Sequence, residues 1–184
     1  DIEFHYREYP DLPVEQLFAG NEGNVAFSIG DFDEHLYQVV PLETFPIKLL
    51  VNEKHPLAQR ESVTIEDLQG EPMFIESSQF HIYHLITERC EEAGFEPDII
   101  FQTSGFSLCH KMVKANKGIS VTVDFIYDDM REDGMKLIPF SDGRYEWKAC
   151  MITRQDEEEN EGVQCFRKHV QEWLQKIRSG EITR

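Results

Sequence analysis

Positive charge is scarce in this sequence relative to negative. Its 18 lysines and arginines face 35 aspartates and glutamates, for a formal net charge of −17 over 184 residues. A chain this acidic repels phosphate backbones, which argues against nucleic-acid binding by these residues. Long hydrophobic runs are missing as well. No stretch approaches the ~20 apolar residues of a membrane-spanning helix, and no basic-then-apolar leader stands at Asp1. The expectation is a cytoplasmic protein with no membrane partner. Cysteine is sparse: Cys90, Cys109, Cys150 and Cys165 show no CxxC spacing, so reduced thiols are expected and a structural zinc site is not. His81 and His84 stand three apart on one helix but lack a third ligand in motif spacing, so no metal is assigned. There is no GxGxxG, P-loop or nucleophile elbow, and no carboxylate pair of catalytic form. Neither an enzyme nor a cofactor is expected.

What the chain does have is a core-forming content of 40% hydrophobic residues and a regular order of α/β signals. The clearest is Thr103 to Phe125. An apolar run from Asp98 closes at Phe101-Gln102-Thr103, and Ser104-Gly105 offers a hydroxyl cap and a turn. Phe106, Leu108, Cys109, Met112 and Val113 then recur on one helical face. Gly118 leads into the β-branched Ile119-Ser120-Val121-Thr122-Val123. Strand, helix and strand in so few residues predict a right-handed crossover onto a parallel sheet, whose ligands sit beyond the carboxyl ends of its strands.

Elsewhere the patterning predicts a half-buried strand over residues 1–8, a short helix opened by Pro13, and a strand over 25–29. Tyr37 to Leu42 reads as an apolar connection broken at Phe45-Pro46, and Ile47 to Val51 as the next strand. Thr64 caps a short helix. Met73-Phe74-Ile75 is a buried strand, and Glu76 to Gln79 caps a helix bearing Ile82, Leu85, Ile86 and Cys90. A short acidic helix is expected over 127–133, a strand over 145–153, and a solvated loop at Asp156-Glu157-Glu158-Glu159. A long amphipathic helix over 163–178 closes the chain.

Three motifs in order carry a resemblance: His55-Pro56-Leu57-Ala58, then Asp67-Leu68-Gln69-Gly70-Glu71-Pro72-Met73-Phe74-Ile75, then the glycine-led strand GISVTVDF from Gly118. Together they resemble the effector-binding (regulatory) domain of LysR-type transcriptional regulators over essentially the whole chain. The resemblance implies two Rossmann-like lobes, similar to type 2 periplasmic binding proteins and joined by two crossover strands. Lobe one would be residues 1–44 with 144–184, lacking the family's first strand and helix, and lobe two 45–143. It further implies a small-molecule effector between the lobes, a homodimer or tetramer, and DNA contact only through an N-terminal helix-turn-helix outside this chain. A solute-binding protein of a transport system shares that fold and is the alternative reading. One departure is Val123, where the family commonly has proline.

Helix starts supply amides without intrahelical partners and a dipole that favours an anion. The candidate effector contacts are accordingly Ser77, Ser78, Thr103 and Ser104, whose hydroxyls serve equally well as plain N-caps. Gln79 offers an amide contact or an exposed surface position. Val123 and Phe125 resemble pocket-lining positions of the family, although an aromatic there also suits a core. Tyr9 reaches a cleft or packs against its neighbours. A small anion such as a carboxylate fits these donors.

Overall fold

A computed structural model describes residues 3–9, 11, 13–18, 23–130 and 133–182, without the side chains of Glu158 and Glu159. In chain order the elements are α1 (Val14–Leu17), β1 (Val25–Ile29), β2 (Tyr37–Asn52), β3 (Met73–Glu76), α2 (His81–Glu92), β4 (Ile99–Thr103), α3 (Phe106–Lys114), β5 (Ser120–Val123), α4 (Asp124–Asp129), β6 (Met135–Pro139), β7 (Glu146–Arg154) and α5 (Glu161–Arg178). They form two compact units: Asp1–Glu43 with Lys148–Arg184, and Thr44–Trp147.

In the first unit β1 runs antiparallel to β7, from Val25 opposite Thr153 to Ile29 opposite Ala149. Val14, Phe18, Tyr37, Cys150 and Ile152 share a small core, with Phe18 and Tyr37 stacked at 5.9 Å. The amphipathic pattern of α5 buries Val163 and Leu174. Its start is capped by Asn160, whose side-chain oxygen accepts from the Gly162 and Val163 amides. The acidic run before α5 is not the solvated loop its composition suggests. Residues 155–159 form a 3-10 turn, and Glu157 is buried, bonded to Asn24, Asn160 and Arg154. Three nitrogen donors satisfy a carboxylate that composition alone would leave in water.

Two strand expectations are corrected. Residues 3–9 form no strand, and Phe4, Tyr6 and Tyr9 are exposed. Alternation specifies a face; a strand also needs a hydrogen-bonded neighbour, and 3–9 pairs with none among the described residues. At the other extreme, Pro46 does not interrupt β2, which runs unbroken for 16 residues. The Ile47 N–H donates to Tyr145 O at 2.8 Å, so the missing N–H of Pro46 faces the opposite edge. There β5 pairs only from Ile47 onward, opposite Val123, and no ladder bond is lost.

The second unit holds the larger core. β3 and β4 are parallel. The Phe74 N–H donates to Ile119 O at 2.9 Å and the Ile119 N–H to Pro72 O at 2.8 Å, which ties β3 to the start of β5. β5 is antiparallel to β2, and β2 takes β6 antiparallel on its other edge. Residues 49–51 of β2 are fully buried because sheet neighbours flank them and helices cover them. The helix expected over 127–133 instead starts at Asp124, directly after β5, with Val123 as its N-cap.

The first resembling motif is explained by local structure. The Leu57 N–H donates to His55 Nδ1, leaving the proton on Nε2 to face Glu71 at 3.2 Å. His55 thus caps the 3-10 turn Pro56–Gln59, and the motif is architectural.

Cys90, Cys109 and Cys150 are buried and free, whereas Cys165 is exposed. Burial pushes the Cys90 thiol up to about 11, with the charge of Glu91 adding to it. Cys109 rises to about 12, chiefly by burial; a hydrogen bond with Ser120 opposes that rise and Glu76 reinforces it. Titration of the native chain with a chromogenic disulfide reagent at pH 8 should therefore modify Cys165 alone, and all four cysteines once denatured. A second thiol reacting at a comparable rate in the native state would contradict this burial.

Candidate functional site

The carboxyl ends of β3, β4 and β5 lie together in the second unit, and each feeds a helix. Glu76 stands opposite Thr103 in the parallel register. One residue further on, the Ser77 N–H donates to Thr103 O at 2.8 Å. The loop that starts α2 is therefore fastened to the one that starts α3. The Ser78 carbonyl accepts from His84 Nε2 at 2.8 Å, which folds the first turn of α2 back over its own entrance.

The hydroxyls here are not helix caps. The N-cap of α2 is Phe80 and that of α3 is Gly105, and neither helix has a side-chain cap bond. Ser77, Ser78, Thr103 and Ser104 donate no side-chain hydrogen bond among the described residues, and Gln79 is exposed. Helix starts without a side-chain acceptor leave amides for water or a ligand. The α5 start in the same chain shows the contrasting capped form.

Val123 and Phe125 part company. Val123 is fully buried in the sheet, paired with Ile47, and takes the core role. Phe125 is 39% exposed and belongs to an aromatic group that local sequence patterns did not signal. It lies parallel to Trp147, with ring centroids 5.5 Å apart and planes 3° apart, and is tilted against Phe45 at 4.6 Å. Phe106, the first residue of α3, meets Trp147 edge-on at 6.2 Å. Phe45 falls at the expected break after the apolar connection and Phe106 on the expected apolar face of α3; the group joins them through Phe125 and Trp147, from distant parts of the sequence. Beside them Lys48 clamps both carboxylate oxygens of Asp124 at 2.7 Å, fixing the start of α4 to β2.

Tyr9 belongs to the first unit. It is half-exposed and lines a cleft of about 910 Å³ together with the rest of 3–9, residues 25–28 of β1, and Phe166. Among the described residues no three histidines, cysteines or carboxylates gather in a metal-holding group. None of their helices is long and apolar enough to cross a membrane.

Relatives of known sequence and structure share this plan. An uncharacterized HTH-type transcriptional regulator of Bacillus subtilis, YwbI, is 23% identical over 174 residues, 95% of this chain and 58% of that protein. The dual regulator OxyR of Escherichia coli is 30% identical over 127 residues, 68% of this chain and 41% of its own. The chain thus spans little more than half the length of such relatives at most. Among solved structures, the effector binding domain of QuiR in complex with shikimate matches with a TM-score of 0.74 at 15% identity, over 89% of this chain and 77% of that one. The BenM effector binding domain with its effector benzoate matches at 0.73 and 16%, over 93% and 77%. These likenesses establish the fold as that of LysR effector-binding domains, related to type 2 periplasmic binding proteins. The profile of the LysR substrate binding domain matches residues 1–175, and the chain belongs to that family.

Proposed function

We propose that this chain is the sensing domain of a LysR-type transcriptional regulator, holding a small anion such as a carboxylate at the carboxyl ends of β3 and β4. The observation that carries the reading is the pair of helix starts, α2 and α3, fastened by the Ser77–Thr103 bond and left without side-chain caps. Among the described residues the hydroxyls of Ser77, Ser78, Thr103 and Ser104, in the segments leading into these helices, donate no hydrogen bond. Family membership and the ligands of QuiR and BenM, both ring carboxylates, support it. Residues 1–44 with 144–184, and 45–143, act as the two lobes. The role is regulatory rather than catalytic. Effector binding favours one arrangement of the domain over another, and so changes DNA binding by an N-terminal helix-turn-helix outside this chain. The regulator works in the cytoplasm as a homodimer or tetramer. Peroxide sensing through Cys90 or Cys109, a reading raised by the likeness to a hydrogen peroxide-inducible genes activator, is disfavoured by their burial and raised thiol range.

A thermal-shift screen against small carboxylates, amino acids, sugars and phosphates tests this. A ligand at a hundredfold over its Kd stabilises by about 2.7 kcal/mol. The expected hit is a carboxylate whose shift disappears in Thr103→Val and shrinks in Ser77→Ala. A hit unaffected by both substitutions would move the site away from these helix starts.

A further inference from the structure

We propose that His84 is a positioning residue for effector recognition, fixing one peptide plane so that the Gln79 N–H is presented to the effector as a donor. The inference rests on the sensing role above and adds a residue that controls it. β3 ends at Glu76 and α2 begins at His81, so the chain between them must turn tightly. The Phe80 N–H donates to Ser77 O at 3.0 Å, which closes a β-turn over Ser77-Ser78-Gln79-Phe80. The Ser77 N–H is itself held by Thr103 O at 2.8 Å. These bonds anchor the ends of the turn and leave its central peptide, the Ser78 carbonyl with the Gln79 N–H, to be set by something else. A flip of that plane is what separates turn types I and II. The flipped form puts the third residue at positive φ, a region that Gln79 does not occupy.

His84 sets the plane from the first turn of α2, with its Nε2 at 2.8 Å from Ser78 O. A carbonyl oxygen only accepts, so Nε2 carries a proton whether the ring is neutral or charged. In a planar trans peptide the C=O and the N–H point to opposite sides. With Ser78 O turned toward the ring, the Gln79 N–H is turned away from it. That N–H has no partner among the described residues, and Ser78 and Gln79 are both exposed to an arriving ligand. In the present orientation the turn offers an anion a donor; flipped, it would offer the Ser78 carbonyl, which repels one. The core packing of α2 does not need His84. Ile82, Ile86 and Cys90 are the buried residues of that helix, and His84 is exposed, with its ring edge-on to Tyr83 at 5.4 Å. Its bond to Ser78 therefore serves the turn rather than the core.

Two substitutions separate the hydrogen bond from the ring. His84→Phe keeps an aromatic edge against Tyr83 and removes the donor, whereas His84→Gln restores a side-chain N–H at a similar reach. The full chain, labelled with nitrogen-15, is titrated with acetate, malonate, benzoate and phosphate, with calorimetry and thermal unfolding in parallel. The expected result is saturable carboxylate binding that moves the Gln79 amide resonance downfield. His84→Phe should then bind about tenfold more weakly, the scale of one hydrogen bond to a charged group, and His84→Gln should stay within about threefold of the unmodified chain. All three proteins should share one thermal midpoint. Unchanged affinity in His84→Phe would overturn the positioning role and leave the anion reading intact. A weak His84→Gln, or an affinity loss that tracks a fallen midpoint, would likewise overturn it in favour of a purely structural role. Carboxylate binding that leaves the Gln79 resonance in place would overturn the proposed contact. No saturable binding of any of the four would overturn the anion reading and this inference with it.

Discussion

Replacing Gly118 by alanine is expected to lower the stability of the second unit by about 3 kcal/mol or more. The reason is a close approach of two backbones. A Cβ at Gly118 would overlap the carbonyl oxygen of Pro72 and lie 2.9 Å from both the Pro72 carbonyl carbon and Phe74 Cε2. Pro72 cannot give way freely, because the same carbonyl oxygen accepts the Ile119 N–H and Phe74 is bonded back to Ile119. Relief would require β5 to move away from β3, breaking both bonds and opening the region around Met73 and Ile119, which are fully buried. Overpacking alone costs about 1–3 kcal/mol, and the two hydrogen bonds add about 1 kcal/mol each. Urea unfolding followed through Trp147 should show the midpoint fall, or a chain that does not fold. A loss below about 1 kcal/mol would mean that the two backbones can separate without harm. The leading glycine of the third resembling motif is therefore a matter of space.

Truncating Leu49 to alanine should cost about 2–5 kcal/mol. Leu49 is fully buried in β2 and stands between Val121 of β5 and Ile138 of β6. Strands on both edges and a close-packed core around it leave little scope for collapse onto the vacated space, which puts the cost toward the upper half of that range. In urea, at about 1–3 kcal/mol per molar, the midpoint should fall by at least about 1 M. A midpoint unchanged within error would show that the centre of this sheet is not close-packed.

How far the site was legible depends on the range of the interactions that make it. The α5 helix followed its apolar periodicity, since a helical face is written within a few turns of chain, whereas α3 buries His110, expected on its polar side, and leaves Leu108 of the expected apolar face exposed. Even so, hydroxyls in the right places for caps turned out not to cap. Where a helix starts depends on the residue at which backbone dihedrals change, and that residue is Phe80 for α2 and Gly105 for α3. The Ser77 backbone N–H donates to the Thr103 carbonyl, a partner no local window includes. Glu157 shows the same limit in reverse. Its acidic neighbours suggest solvent, yet Asn24, 133 positions away, supplies one of the donors that allow its burial.

By itself the sequence determined the α/β class, the positions of the long helices and the buried strands, and the resemblance to LysR effector-binding domains. These rest on periodicity, turn residues and short motifs, all local properties of the chain. Tertiary structure alone decided that β2 continues through Pro46, that residues 3–9 pair with no strand among the described residues, and that Val123 is core while Phe125 is exposed. It also brought Phe45, Phe106, Phe125 and Trp147 into one aromatic group. Each of these outcomes depends on which backbone edge or side chain arrives from a distant part of the chain, and no local pattern encodes that arrival.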